Sequence, residues 1–158
     1  MTAPRWLNEQ ENHTWRAFHH VRSDLGATLE RQLVQDSGLS SADYELLVVL
    51  SETDGHRLRA RELRTQVSWD RSRLAHQLRR MEKRGLLRRT ECEADARGTM
   101  VELTEHGLES IRAAAPGHLA AARRYFVDLM TPDEMKVMGD ICDRVLERIR
   151  DDRQTGQC

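Results

Sequence analysis

The chain has 158 residues, of which 39% are hydrophobic, 32% charged and only three are proline, which suits one largely helical domain with a core of its own. No apolar run approaches a membrane span, and the opening MTAPRWLNEQEN lacks the apolar centre of a signal peptide, so a cytoplasmic protein with no membrane partner is expected. The net charge of −1 hides a strong asymmetry: from Arg57 to Arg89 twelve Lys/Arg face only Glu62, Asp70 and Glu82, a net of +9, against −10 for the remainder.

The predicted elements follow in chain order. Trp15, Phe18, Val21, Leu25, Leu29 and Leu33 recur at three- and four-residue steps, which predicts a long amphipathic helix over 8–36. Ser37-Gly38 ends it. A second helix spans SSADYELLVVLSE (40–52), with Ser40 or Ser41 as N-cap and Tyr44, Leu47 and Leu50 turned inward. Asp54-Gly55 reads as a turn, His56-Arg57-Leu58 as one short strand, and ARELRTQV (60–67) as a third helix.

The fourth helix, within SWDRSRLAHQLRRMEKRG (68–85), carries the charge. On a helical wheel Leu74, Leu78 and Met81 share one face, while Trp69, Ser72, Arg73, His76, Arg79, Arg80 and Lys83 lie opposite. Trp69 is expected to pack in the turn before the helix. Like charges four apart, Arg79 with Lys83 and Arg80 with Arg84, oppose helix formation unless a polyanion compensates them.

Beyond it, LLRRTEC (86–92) and TMVEL (99–103) alternate as two strands of a hairpin, joined by EADARG. Thr104 is placed to cap a helix whose apolar positions run Leu108, Ile111, Ala115, Leu119, Ala122 and Phe126, with a kink or break at Pro116-Gly117. Thr131-Pro132 starts the last helix, which has an apolar stripe of Met138, Ile141, Val145 and Ile149. The fold class is therefore mainly α: a winged helix-turn-helix with a two-stranded β-wing, flanked by N- and C-terminal helices.

In helix-turn-helix units the start of the second helix reads base edges in the major groove. Here it offers Arg71, Ser72, Arg73, His76 and Gln77, since arginine can bond guanine, and glutamine adenine, through two hydrogen bonds each. Arg79, Arg80, Lys83 and Arg84 follow, placed for phosphates.

The hairpin carries a more specific pattern, Asp95-x-Arg97-x-x-x-Val101-x-Leu103-Thr104-x-x-Gly107, which resembles the wing signature of the MarR (multiple antibiotic resistance regulator) family. MEKRGLLRR (81–89) is similar to that family's recognition-helix exit, and the resemblance covers about residues 40–110. It implies a homodimer built on N-terminal (1–36) and C-terminal (105–158) dimerisation helices around a DNA-binding domain (37–104). It also implies that Arg97 enters the minor groove at the wing tip, oriented by Asp95, where a narrow A·T-rich groove concentrates negative potential. Many members of the family are switched by small aromatic ligands, so such an effector is a further expectation.

The expected function is a transcriptional repressor that binds a palindromic operator in double-stranded DNA. The alternative is a winged-helix protein-interaction module that does not read DNA. No enzyme is expected, because no nucleophile–base spacing or phosphate-binding glycine loop is present. No cofactor is expected either. Cys92, Cys142 and Cys158 form no CxxC and read as reduced thiols, with Cys92 in the wing a passive residue rather than a redox handle. His13, His19, His20 and His118 show no HxxxH pair, so no metal site is expected.

Overall fold

A computed structural model describes residues 4–92 and 95–155, leaving out the side chains of 92, 95–97, 154 and 155. The chain divides into two compact units, residues 1–119 and 120–158.

In the first unit α1 (Glu9–Ser37) starts at a reciprocal cap: Asn8 accepts from the Glu11 amide, and Glu11 accepts from the Asn8 amide. Gly38, at φ 69°, ends it in the left-handed conformation that glycine adopts without a Cβ penalty. Of its apolar positions only Leu33 is buried, and Trp15, Phe18 and Val21 are exposed. Ser40 is the N-cap of α2 (Ser41–Glu52), paired with Asp43 in a second reciprocal cap. A 3₁₀ turn (Asp54–His56) leads to β1 (Arg57–Arg59), one residue later than the sequence suggests, and then to α3 (Ala60–Val67).

Asp70 caps α4 (Arg71–Lys83), its carboxylate accepting from the Arg73 amide at 2.8 Å. β2 (Leu87–Cys92) and β3 (Asp95–Leu103) form the wing, and the antiparallel sheet runs β1-β3-β2. Asp95, Ala96, Arg97 and Gly98, expected in the connection, belong to β3 instead. Backbone pairing needs no apolar side chain, so the ladder outlasts the hydrophobic alternation, with a register shift between Glu91 and Cys92.

Thr104 leads into α5 (Glu105–Tyr125) and its hydroxyl accepts from the Gly107 amide. Of the kink or break expected at Pro116-Gly117, the break does not occur, since α5 runs through both residues. Proline there removes one intrahelical hydrogen bond, and Gly117 admits the Gln32 side chain 3.3 Å from where a Cβ would sit. The core joins Leu33 to Leu46, Leu47 and Leu50 of α2, Leu63 of α3, Leu74, Leu78 and Met81 of α4, Val101 of the sheet and Ile111 of α5.

In the second unit a 3₁₀ turn (Val127–Leu129) precedes α6 (Pro132–Thr155). Thr131 and Glu134 cap α6 reciprocally, and the two bonds from Thr131 hold the Glu134 carboxyl below its usual range. Val137, Ile141, Val145 and Leu146 of α6 are exposed. No helix among the described residues is long and apolar enough to cross a membrane.

Candidate nucleic-acid interface

The rotation of α4 about its own axis decides which side chains face outward. Leu74, Leu78 and Met81 sink into the core, and Arg71, Ser72, Arg73, His76, Arg79, Arg80 and Lys83 are left exposed or half-buried on the outer side. Among the described residues, Arg71, Arg79, Arg80 and Lys83 have no acidic partner. Arg71 and Arg73 also stand in a first turn without an acidic residue, where the helix dipole disfavours cations. An arrangement that works against helix stability at both turn and face is consistent with an external anion completing the charge balance.

Two sequence expectations are corrected. Gln77 does not face outward: it is 6% exposed, and its Nε2 donates to Asp43 Oδ1 at 2.6 Å. Only three residues beyond Leu74 and one before Leu78, it shares their buried flank. Arg84 is not a free cation either. Its Nη1 donates to Asp43 Oδ2 at 2.6 Å and its Nη2 to the Gly38 carbonyl at 2.9 Å. That pairing offsets the repulsion expected between Arg80 and Arg84, whereas Arg79 and Lys83 both remain exposed.

Trp69 is buried at 8% exposure, in agreement with a packing role. Ser68, at φ 55°, turns the chain back so that the indole lies beneath the start of α4. The Arg73 guanidinium rests 3.9 Å from its ring centroid. Glu45 of α2 is also hydrogen-bonded by Trp69; burial pushes the Glu45 carboxyl above its usual range, opposed by Arg73 and by that hydrogen bond.

The side chains of Asp95 and Arg97 lie outside the described residues, as does that of Cys92; the backbones of Cys92 and Asp95 pair across the wing, and that of Arg97 belongs to β3 within the register shift. Lower on the wing, Arg88 pairs with Glu102 at 2.9 Å and Arg89 with Glu82 at 2.5 Å. The hydrogen bond from Arg89 holds the Glu82 carboxyl below its usual range, which ties β2 to the end of α4.

A cleft of about 440 Å³ opens between α3, α4 and the wing. Arg59, Arg61, Arg64, Arg71 and Arg89 line it above a floor of Leu74, Ala75 and Leu78. Arg59, Arg61 and Arg64 belong to the basic block but are not among the residues that the helix-turn-helix pattern selects. The inward spacing of Leu63 and Val67 was the available signal, because it turns Arg61 and Arg64 outward. Among the described residues no group of three or more His, Cys, Asp or Glu is gathered as a metal site would need.

Residues 39–99 match the model of the MarR family. AbsC, a MarR family transcriptional regulator from Streptomyces coelicolor, is 42% identical and superimposes with a TM-score of 0.89 over 93% of this chain and 99% of its own. Sco3205 from the same organism, a MarR family regulator solved in complex with DNA, is 41% identical with a TM-score of 0.89 over 91% of each chain. The S. coelicolor regulator PcaV, solved with its natural ligand, is 25% identical with a TM-score of 0.72 over 92% of this chain and 98% of its own. A search of curated proteins found no match. By sequence, fold and wing together, the chain belongs to the MarR family of transcriptional regulators.

Proposed function

We propose that this regulator is a repressor that binds a pseudopalindromic operator as a homodimer. In this reading α4 enters the major groove and Arg97 of the wing enters the minor groove. The observation that carries it is the exposed cationic face of α4, on which Arg71, Arg79, Arg80 and Lys83 have no acidic partner among the described residues, opposite a fully buried apolar one. Arg71, Ser72, Arg73 and His76 are the base-reading candidates, and Arg79, Arg80 and Lys83 the phosphate contacts. Arg59, Arg61 and Arg64 extend the same basic surface toward the wing.

The exposed apolar residues of α1 and of α6 support dimerisation, because faces this apolar are seldom left in water. A twofold axis would place two recognition helices one turn of DNA apart, about 34 Å. Sco3205, solved with DNA, supports the nucleic-acid reading, and PcaV, solved with its natural ligand, supports an effector-binding regulator, in which a small aromatic molecule would release the DNA. Selection from a randomised duplex pool, followed by mobility shift, tests the proposal. An enriched inverted repeat bound by two chains is expected; no enriched duplex would overturn it and favour a protein-interaction role.

A further inference from the structure

Resting on that DNA-reading function, we propose that Asp43, a residue of α2 remote from the cationic face, is a positioning residue that sets the sequence specificity of α4. Asp43 is 2% exposed and among the most deeply buried residues of the chain. Its carboxylate accepts three hydrogen bonds: from Gln77 Nε2 at 2.6 Å, from Arg84 Nη1 at 2.6 Å and from the Ser40 amide at 2.9 Å. Arg84 continues the chain to the Gly38 carbonyl, so the entry of α2 and the far half of α4 are joined through one side chain.

The spacing of the two anchors on α4 gives the arrangement its effect. Gln77 and Arg84 are seven residues apart, which is nearly two turns, and therefore lie on one line along the helix, roughly 10 Å apart. Two directional bonds that run from separate points of the helix to the two oxygens of one buried carboxylate resist rotation of α4 about its axis. Leu74, Leu78 and Met81 alone do not, because apolar burial is non-directional and methionine adapts to altered neighbours. A rotation of about 20° would move side-chain tips at the helix surface by roughly 2 Å, beyond the tolerance of a hydrogen bond to a base edge. Long cations reaching phosphates tolerate such a shift, since their attraction is not tied to one geometry.

Only the carboxylate of the Asp43–Arg84 pair is buried, the Arg84 side chain being 41% exposed; such a pair seldom outperforms well-packed apolar side chains in stability, so orientation is the advantage that the Asp43 cluster offers over another leucine. Hence Asp43 governs the ratio of specific to non-specific binding rather than binding as such. Among the described residues no side-chain hydrogen bond or ion pair joins Asp43, Gln77 or Arg84 to the side chains of Arg71, Arg73, Arg79, Arg80 or Lys83, which keeps those cations available for non-specific attraction in any variant.

The test uses the full chain with two duplexes: the one that the wild type selects from a randomised pool, and a shuffled duplex of equal length. Asp43→Asn is expected to lower the affinity ratio between them by about tenfold or more, while affinity for the shuffled duplex stays within about threefold. Leu63→Ala, a core truncation that leaves the anchors in place, is expected to lower thermal stability and keep the ratio. Gln77→Met retains the Asp43–Arg84 pair and should lower the ratio with little loss of stability; it decides the matter if Asp43→Asn does not fold. A ratio unchanged in the folded variants overturns the proposal, as does an equal loss on both duplexes or a ratio that falls equally in Leu63→Ala. A wild type that selects no duplex would remove the regulator reading, and this proposal with it.

Discussion

The guanidinium of Arg73 lies 3.9 Å from the ring centroid of Trp69, itself buried beneath the start of α4. The stack holds a flexible side chain over a fixed surface and lowers the entropy that Arg73 loses when it meets a base edge. Arg73→Ala should therefore relax selectivity at one base pair per half-site, by about 1–3 kcal/mol, in competition binding against single-base operator variants. Arg73→Lys should rescue little, because an ammonium neither forms the two-pronged contact nor stacks as a plane. A uniform loss across all variants would reassign Arg73 to a phosphate.

Lys83 is exposed near the end of α4 and has no acidic partner among the described residues. Lys83→Ala is expected to weaken binding to selected and shuffled duplexes alike. The slope of log affinity against log salt should become shallower by about 0.9 for each phosphate that Lys83 neutralises in the wild type. An unchanged slope would show that Lys83 meets no phosphate.

Arg97→Ala is expected to weaken binding most where the operator flanks are rich in A·T. There a narrow minor groove strengthens the attraction for an inserted cation. Titrations on operators with A·T and G·C flanks check this, and equal losses on both would contradict shape reading by the wing.

Gly107 sits where the first turn of α5 meets the exit of α4. A Cβ there would lie 1.9 Å from the Leu86 carbonyl oxygen and 2.9 Å from its carbon. Both are backbone atoms, so no side chain can swing aside. Gly107→Ala should destabilise the fold by about 3 kcal/mol, at the upper end of the overpacking range, and the midpoint of urea unfolding measures it. An unaltered midpoint would mean that α5 can shift as a whole.

His118 packs against Tyr44, with ring centroids 4.3 Å apart, and its Nδ1 lies 3.3 Å from Gln32 Oε1. Burial holds its imidazole below the ordinary value of 6.5. The unfolded chain thus takes up this proton more readily than the folded one. His118 adds no pH dependence well above 6.5, and stability falls as pH drops through that value toward the lower folded-state pKa. Thermal melts between pH 8 and 5, about the range in which histidine titrates, should show a shallower acid-side decline for His118→Gln than for the wild type.

Much of this protein was determined by local sequence. Periodic apolar residues, Ser40 and Asp70 as caps, Gly38 at a helix end and Pro132 at a helix start act over a few positions, so α1 to α4 and α6 lie close to their predicted bounds. The wing pattern Asp95 to Gly107 likewise announced the family. The wheel separated the buried and exposed faces of α4 at nearly every position, because helical geometry relates neighbours along the chain without reference to the rest of the fold.

What only the tertiary structure decided are the exceptions, and each depends on a partner far away in sequence. Gln77 and Arg84 suit DNA by residue type, and nothing within α4 reveals that Asp43, 34 and 41 residues earlier, satisfies them. The two outer strands pair with β3 on opposite sides, so the cleft lined by Arg59, Arg64 and Arg89 exists only once the sheet is assembled. Hydrogen-bonding capacity is a property of the residue, whereas the choice between a base and a buried carboxylate is made by packing. On α4 and its exit that choice gave Asp43 hydrogen bonds from Gln77 and Arg84, two of the nine residues that the sequence offers to DNA.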